Sequence, residues 1–292
     1  MQNFRPRILL IGRNGQIGWE LERTLAPLGD LVAVNSSQLD LGKPADIRSW
    51  VTETGPQIIV NAAAYTAVDK AETDRDAARA VNAAALEILG EEARKAGAAV
   101  FHYSTDYVFD GRKAGPYVED DPVDPINFYG ETKLAGERAL AQSGARYVIF
   151  RTSWVYGLRG KNFLQTILRL AKEQKNLTIV NDQTGAPTWS RLIAEATALV
   201  IAKRGQVLDE VQGIYHLTCQ GRATWYEFAQ AILAASPGLG PDRPKVLPIT
   251  SAQYPTPAKR PEYSVLDNGK LTEVFAVSLP AWQDALQMAL TL

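Results

Sequence analysis

The sequence predicts an α/β fold in which a doubly wound parallel sheet is joined to a smaller C-terminal lobe. Three observations lead to this prediction. In the first half, short β-branched or aliphatic runs alternate with longer stretches rich in Ala, Glu and Arg. A glycine-rich turn follows the first apolar run, and after Lys161 the regular alternation is lost. The length of 292 residues fits two domains, predicted as 1–152 and 153–292, with parts of the second returning to the first.

Each apolar run predicts a strand, and each helix-like stretch predicts the helix that follows it. The predicted strands of the first half are 7–11, 31–34, 57–60, 98–103 and 146–151, and the helices are 16–26, 45–52, 74–96 and 128–141. The second half predicts a strand over 177–180 and helices over 163–174, 191–203, 225–235 and 281–290. Seven prolines between Ser236 and Pro261 are expected to break any long regular element there.

Charge and composition argue against several classes of function. The 31 Lys and Arg balance 32 Asp and Glu, which is far from the basic excess of a nucleic-acid-binding protein. One cysteine, Cys219, and two histidines cannot form a disulfide or a Cys/His zinc cluster. The apolar run over 8–11 is too short for a signal peptide or a membrane span. We therefore expect a cytoplasmic protein that binds neither nucleic acid nor membrane.

The glycine-rich turn predicts a dinucleotide site. Gly12, Gly15 and Gly18 stand at the junction between the first strand and the first helix, in the order GxxGxxG. Glycine is required where the backbone turns tightly, where a pyrophosphate approaches the main chain, and where the helix packs closely on the strand. The phosphates then lie at the helix N-terminus, where free N–H groups favour an anion. The strand before the motif and the helix after it indicate a Rossmann fold.

The end of the second strand bears on the choice of cofactor. Enzymes that use NAD usually place a carboxylate there, on the ribose 2′-hydroxyl. The residues here are Asn35, Ser36 and Ser37, so no acid repels a 2′-phosphate. Arg13 in the glycine-rich turn could attract that phosphate, or it could be an ordinary solvated cation. We expect NADPH to be preferred, with NADH also possible.

A tyrosine and a lysine form the candidate reacting pair. Tyr129 and Lys133 are one helical turn apart and share a helix face. A cation near a phenol favours the phenolate, so the pair can exchange a proton with a carbonyl oxygen. The helix that carries them follows the fourth strand, which ends in Ser104, Thr105 and Asp106. In open α/β sheets ligands bind at this edge.

These residues resemble the extended short-chain dehydrogenase/reductase superfamily and, within it, the dTDP-4-dehydrorhamnose reductase family. The segments that carry the resemblance run in order along nearly the whole chain: 12–21, 60–72, 103–110, 129–137, 151–156, 181–188 and 254–261. The resemblance implies a Rossmann domain with a substrate-binding C-terminal lobe. It also implies reduction of the C4 ketone of dTDP-4-dehydro-L-rhamnose by a nicotinamide hydride, the last step of dTDP-L-rhamnose synthesis.

The resemblance also implies roles for individual residues. Tyr129 donates the proton, Lys133 binds the nicotinamide ribose and lowers the tyrosine pKa, and Thr105 binds the reacting oxygen. With the glycine-rich turn included, the cofactor-binding residues are Gly12, Arg13, Gly15, Gln16, Ile17, Gly18, Asn35, Asp40, Leu41, Ala63, Ala64, Tyr65, Thr66, Tyr103, Tyr129 and Lys133. The substrate-binding residues are Thr105, Asp106, Trp154, Lys259 and Arg260, the last two as a diphosphate clamp.

One departure from the family bears on metal binding. Some members bind magnesium through acidic side chains at a dimer interface. Glu20 matches one of these acids, but Arg191 stands where its partner acid is expected. We therefore predict no metal ligand in this chain, regard magnesium as doubtful, and expect a monomer or a weak homodimer.

Alternatives remain for the function and for several residues. A regulatory NADP-binding subunit, such as that of methionine adenosyltransferase, resembles the same family, and an epimerase or dehydratase that recycles its cofactor is a second alternative. His102 and His216 lie in apolar runs, where a core histidine is favoured over a catalytic one. Trp154 could stack on the substrate or belong to the core, and Asn82 could join a proton relay or cap a local bend.

Overall fold

The computed structural model describes residues 5–204, 208–236 and 243–291. The strands are β1 (Arg7–Ile11), β2 (Asp30–Val34), β3 (Ile58–Asn61), β4 (Ala99–Thr105), β5 (Arg146–Thr152), β6 (Val155–Tyr156), β7 (Asn176–Val180), β8 (Thr184–Gly185), β9 (Thr188–Trp189), β10 (Gly213–His216), β11 (Ala223–Thr224) and β12 (Lys245–Ile249). The helices are α1 (Gln16–Leu25), α2 (Pro44–Thr54), α3 (Val68–Ala71), α4 (Arg75–Arg79), α5 (Ala85–Ala96), α6 (Phe128–Gln142), α7 (Phe163–Glu173), α8 (Ser190–Arg204), α9 (Leu208–Val211), α10 (Trp225–Ala235), α11 (Gly269–Phe275) and α12 (Trp282–Leu290).

A six-stranded sheet in the order β10-β5-β4-β3-β1-β2 forms the centre of the fold. All of its strand pairs are parallel. The five strands predicted for the first half are present with small changes at their ends, and the doubly wound Rossmann class is confirmed. β10 was not predicted as a strand of this sheet, although the run around His216 has strand-like composition. It reaches the sheet only after the chain has passed through the second half.

Alternate residues along the strands pack against opposite faces of the sheet. On one face, Leu9, Val100 and Ile149 belong to the cluster under α2 and α5. On the other face, Leu10 and Phe150 belong to a larger cluster that continues through α8 into the C-terminal half. Because apolar side chains cover both faces, the strands read as continuous hydrophobic runs, as parallel strands do.

The predicted helix over 74–96 is interrupted. It consists of α4, one π-helical turn (Ala80–Ala84) and α5. The composition of strong helix formers does not reveal the extra residue of the π turn. Part of the reason for the turn is tertiary, because the carbonyl of Asn82 meets α6 at Gly136, where a Cβ would come within 2.0 Å of the oxygen. Such turns are frequent at functional sites.

The C-terminal half builds a lobe and also returns to the sheet. β7 pairs in parallel with β12, which includes Pro248 of the proline-rich stretch, while Pro237 and Pro241 lie outside the described residues. α8 packs on α1, and β10 pairs with β5. The boundary at residue 152 stays a prediction. Within the described ranges, no helix combines the length and the apolar character needed to cross a membrane.

Candidate active site

The glycine-rich turn follows β1, which lies between β2 and β3 in the sheet. The chain therefore continues to opposite sides of β1, and this position is the switch point of the sheet. Gly12 has φ +92°, and a Cβ there would come within 2.8 Å of the Ala63 nitrogen in the loop after β3. A Cβ on Gly18 would come within 2.0 Å of the Gly12 oxygen. Gly15 caps α1 without any side-chain hydrogen bond to the first turn. The free N–H groups therefore face a crevice into which a pyrophosphate fits.

A cleft of about 640 Å³ runs along the carboxyl ends of β1, β3 and β4, and we call it the switch-point cleft. All of the predicted cofactor residues except Arg13 and Gly18 line it. These are Gly12, Gly15, Gln16, Ile17, Asn35, Asp40, Leu41, Ala63, Ala64, Tyr65, Thr66, Tyr103, Tyr129 and Lys133. Its size, and a largely apolar lining that includes a few polar groups, suit a dinucleotide. Contact of each residue with the cofactor stays a prediction.

Arg13 and Gly18 serve other contacts in the structure. The Arg13 guanidinium binds Glu22 of α1 through two hydrogen bonds, of 3.1 and 2.6 Å. Its attraction for a 2′-phosphate is therefore partly offset by a carboxylate that the sequence argument did not consider. Gly18 lies behind the cleft wall, where it allows α1 to approach the turn after β1.

Several residues of the switch-point cleft were missed by the sequence argument. Lys161 lines it, although it belongs to the second half of the chain. The loop that carries Lys161 is held at α1 by a 2.8 Å hydrogen bond from Asn162 to Gln16. Ser104 and Thr152 also line the cleft, and both have a buried hydroxyl without a hydrogen-bond partner among the described residues. Buried hydroxyls are usually satisfied, so these two are exceptions beside the cleft.

Tyr129 and Thr105 meet at the carboxyl edge of the sheet. Asn127 caps α6 by accepting a 2.8 Å hydrogen bond from the Gly130 nitrogen, which fixes the start of the helix beside the end of β4. A hydrogen bond with Thr105 lowers the pKa of the Tyr129 phenol, but burial and the nearby Asp106 carboxylate raise it more. The result is a pKa above the ordinary value, and the phenol keeps its proton.

The ammonium group of Lys133 is bound by β4. Lys133 is 1 % exposed, and its ammonium donates to the Tyr103 carbonyl at 2.7 Å, with the His102 ring 2.9 Å away. Burial lowers the pKa of Lys133 to about 8, against the opposing effect of Glu137. The pKa of Tyr129 is set by burial, Asp106 and Thr105, and its lowering by Lys133 stays a prediction.

Asp106 is buried beside the reacting pair. Its carboxylate accepts hydrogen bonds from Thr105 at 3.1 Å and from Ser153 at 3.0 Å. Burial raises the pKa of Asp106 to about 6, and hydrogen bonds from neighbouring hydroxyls partly oppose that shift. The carboxylate therefore orients the Thr105 hydroxyl under Tyr129.

Asn82 joins the cofactor side of the site to α6. Its side chain accepts from the Tyr65 nitrogen at 2.8 Å and donates to the Tyr65 carbonyl and the Thr132 hydroxyl, both at 3.1 Å. The Asn82 amide is thus fully used in fixing the loop after β3 beside the turn of α6 next to Lys133. Asn82 also lies within the π-helical turn, and the two roles weighed for it, in a proton relay or at a local bend, stay predictions.

A second cavity of about 1200 Å³, which we call the lobe cavity, lies between α3, the loops that follow β4 and precede α6, and the C-terminal half. Lys259, Arg260 and Asp69 line it together with apolar side chains of α7 and β7. Arg260 is paired with Asp69 at 2.8 Å. In the part of the chain that the structure describes, Lys259 has no ion pair.

Trp154 is half-buried and stacks on another tryptophan. It has a left-handed backbone with φ 46°, and its ring lies parallel to that of Trp225 with centroids 3.5 Å apart. Gly185 lies so close that a Cβ would come within 2.4 Å of the Trp154 indole. Trp225, and not Trp154, lines the lobe cavity. Contact of Trp154 with a substrate stays a prediction, and one face of its ring is already covered by Trp225.

The position compared with the family's magnesium site holds an ion pair. Arg191 of α8 donates to the Glu20 carboxylate of α1 at 3.1 Å, and Arg23 binds the same carboxylate at 3.2 Å. Two guanidinium groups thus bind the carboxylate of Glu20, the residue that resembles a metal ligand of the family. In the described ranges, no three His, Cys, Asp or Glu side chains come together as a metal site.

The fold and the site together define a class of protein. The parallel sheet has a dinucleotide-sized cleft at its switch point, and a Tyr–Lys pair lies beside a threonine at the end of a strand nearby. These features define a nicotinamide-dependent oxidoreductase of the short-chain dehydrogenase/reductase type. A family model described as "RmlD substrate binding domain" matches residues 6–292, and the chain belongs to this family.

Characterised relatives agree with this assignment. The chain is 48 % identical over 287 residues to a dTDP-4-dehydrorhamnose reductase of Burkholderia thailandensis, which covers 96 % of both chains. It is 47 % identical over 282 residues to that of Escherichia coli K12, with 94 % of each covered. A solved dTDP-4-dehydrorhamnose reductase of Bacillus anthracis in complex with NADP superposes with a TM-score of 0.89 at 33 % identity and 99 % coverage of both chains.

Proposed function

We propose that this chain reduces the C4 ketone of dTDP-4-dehydro-L-rhamnose to dTDP-L-rhamnose, the last step of dTDP-rhamnose synthesis. The observation that carries the proposal is the position of Tyr129. Its phenol meets Thr105 at the sheet edge, and its side chain lines the switch-point cleft. Relatives of similar length at 48 % and 47 % identity are named for this reaction.

The chemistry follows from the positions of the side chains. A bound nicotinamide cofactor supplies a hydride to the carbonyl carbon. Tyr129 gives its proton to the carbonyl oxygen, so that the ketone gains one hydride and one proton and becomes a secondary alcohol. The raised pKa of Tyr129 keeps the phenol protonated until that oxygen acquires negative charge. To hold the ketone oxygen, the Thr105 hydroxyl has to turn its one proton from Asp106 to that oxygen.

Lys133 contributes a positive charge at the base of the cleft. The charge attracts the negatively charged cofactor. Because the pKa of Lys133 is about 8, the charge is present at neutral pH and is lost as the pH rises above that value. Cofactor affinity is therefore expected to weaken on the alkaline side.

The substrate is proposed to occupy the lobe cavity. Lys259 and Arg260 line it and provide cations for a diphosphate, although Arg260 shares its charge with Asp69. Thr105 and Asp106 lie at the sheet edge, where the sugar has to approach Tyr129. Trp154 supports the Trp225 ring that lines the cavity.

The predicted location and assembly state have their own support. Cys219 is a buried free thiol, which agrees with a reducing, cytoplasmic setting. Glu20 is paired with Arg191 within one chain, which leaves this acid without a role in bridging two chains through a metal. We propose that the protein is a monomer or a weak homodimer. Its binding partner is the dTDP-sugar substrate.

The test is a cofactor oxidation assay with enzymatically prepared dTDP-4-dehydro-L-rhamnose. Loss of NADPH absorbance in proportion to added ketosugar is the expected result. Binding of NADPH without oxidation, together with a stoichiometric complex with a synthetase, would favour the regulatory subunit. Conversion of the sugar without net loss of cofactor would favour an epimerase or dehydratase.

We further propose that NADPH is preferred over NADH, and the ion pair between Arg13 and Glu22 allows a test. Glu22→Gln leaves the guanidinium without its carboxylate partner and is expected to raise the ratio of NADPH to NADH affinity by about fivefold. Arg13→Ala is expected to lower that ratio by a similar factor. The measurement is the Kd of each cofactor by fluorescence titration.

A matched control for this pair lies on the same helix. Arg23→Ala removes a cation of α1 that pairs with Glu20 and does not line the cleft. It is expected to leave both dissociation constants within about twofold. An unchanged ratio in Arg13→Ala would remove Arg13 from the 2′-phosphate site.

A further inference from the structure

A histidine that the proposed mechanism does not use lies directly behind Lys133. His102 belongs to β4 and is 1 % exposed. Its Nε2 lies 2.9 Å from the Lys133 nitrogen, and its Nδ1 lies 3.2 Å from the side-chain amide of Asn61 on β3. The two ring nitrogens therefore have different partners, one in the catalytic helix and one in the sheet.

The three N–H bonds of the Lys133 ammonium can be assigned from these contacts. One donates to the Tyr103 carbonyl at 2.7 Å, and one points to Nε2 of His102. Because Lys133 also lines the switch-point cleft, the third N–H is left for a ligand there. The two protein acceptors thus determine the direction of the remaining donor.

His102 has to be uncharged, as well as correctly placed, to accept a hydrogen bond from Lys133. Burial and the adjacent Lys133 charge hold the pKa of His102 well below its ordinary value, so the ring is neutral and can accept at Nε2. A neutral ring accepts at one nitrogen only, so Nδ1 then carries the proton, and the backbone carbonyl of Asn61 is its acceptor. A carboxylate in the same place would cancel the ammonium charge. No Asp or Glu forms an ion pair with Lys133 in the described ranges. Glu137, one turn further along α6, is bound by Arg151.

We propose that His102 is a positioning residue, which holds the Lys133 ammonium by a neutral hydrogen bond and aims its free N–H at the ribose of the cofactor. This inference rests on the proposed function only in assigning Lys133 to the cofactor. It assigns to His102 an active role, in place of the core role favoured from sequence. Because the effect is on cofactor binding, it can be measured without any sugar.

Two substitutions of His102 distinguish the contact made by Nε2 from the contact made by Nδ1. The side-chain amide of glutamine reaches the position of Nε2, whereas that of asparagine reaches only the position of Nδ1. His102→Gln therefore retains the contact with Lys133, and His102→Asn retains the contact with Asn61. We expect the Kd for NADPH to rise about tenfold in His102→Asn and to stay within about threefold of wild type in His102→Gln.

The pH dependence of binding provides a second readout. Removing an acceptor from the ammonium makes its charged form less favourable, so the pKa of Lys133 falls further. In His102→Asn, the alkaline weakening of NADPH binding should therefore begin about one pH unit lower than in wild type. In His102→Gln it should begin at the wild-type pH. A purely structural role does not predict this displacement.

His216 provides the matched control. It is a buried histidine on the neighbouring region of the sheet, in β10, with Nδ1 3.1 Å from the Asp267 carbonyl and no contact with Lys133. His216→Asn and His216→Gln are expected to leave the Kd within twofold. Weak binding in His102→Gln with normal binding in His102→Asn would overturn the proposal, as would equal Kd values in both. Failure of ketosugar reduction by wild type would leave these binding results standing, so the two proposals can fail separately.

Discussion

Replacing Tyr129 with phenylalanine is expected to lower kcat/KM for the ketosugar by about a thousandfold, while the Kd for NADPH changes by less than about twofold. The substitution removes only the hydroxyl that gives the proton to the carbonyl oxygen, and general acid catalysis contributes factors of this size. The ring stays in place, because it packs edge-on against Tyr107 with centroids 5.9 Å apart. The measurement combines steady-state NADPH oxidation with fluorescence titration of the cofactor.

Tyr156→Phe is the control for that experiment. Its hydroxyl is buried and has no hydrogen-bond partner among the described residues, so its loss removes no contact that the reaction needs. We expect kcat/KM to stay within about threefold of wild type. Turnover in Tyr129→Phe that equals that of Tyr156→Phe would show that the proton comes from another group.

The parts of the site that sequence predicts well are those in which the chemistry is local. The GxxGxxG turn follows from backbone geometry at three positions, and Tyr129 and Lys133 are one helical turn apart whatever surrounds them. The strands of the first half are confirmed because a buried parallel strand is a continuous apolar run. The GxxGxxG turn and the helix with Tyr129 and Lys133 each follow a strand of this sheet. Both motifs therefore lie at its carboxyl edge, close to each other.

The contacts that modify those groups join distant positions and have no local signal. Lys133 meets His102 across 31 positions, and Trp225 meets Trp154 across 71, because α6 folds onto β4 and α10 folds back onto the sheet edge. Sequence reasoning predicted a lysine that acts on the tyrosine and a tryptophan free to stack on a ligand. Neither expectation took account of a neighbour from a distant part of the chain. In the structure that neighbour is His102 for Lys133 and Trp225 for Trp154.

The same reasoning explains the residues of the cleft that were missed. Thr152 ends a strand as many core threonines do, and only its unpartnered buried hydroxyl distinguishes it. Lys161 stands in a loop of the second half, and its position at the cleft depends on the bond from Asn162 to Gln16. A lysine between a glycine and an asparagine is a signal for a loop, and it carries no information about which loop lies opposite.

Truncation of Glu137 is expected to have the largest effect on stability. Arg151 of β5 binds its carboxylate through hydrogen bonds of 3.0 and 2.7 Å, and the two side chains are 3 % and 1 % exposed. Glu137→Ala leaves a guanidinium buried without its partner, which costs about 3 to 5 kcal/mol in unfolding free energy. Because α6 also carries Tyr129 and Lys133, the ion pair fixes the catalytic helix against the sheet. Urea unfolding of the intact chain measures the loss.

The cost of that truncation comes from an unpaired charge, so replacing both partners is expected to recover most of it. The double variant Glu137→Leu with Arg151→Met buries apolar groups of similar length and should lie within about 1 to 2 kcal/mol of wild type. The exposed pair of Arg169 and Glu173 on α7, 2.8 Å apart, is the control, and Glu173→Ala should cost at most about 1 kcal/mol. If the double variant is as unstable as Glu137→Ala, the attraction between the two charges outweighs the desolvation that burial imposes on them, and the pair itself stabilises the junction between α6 and β5.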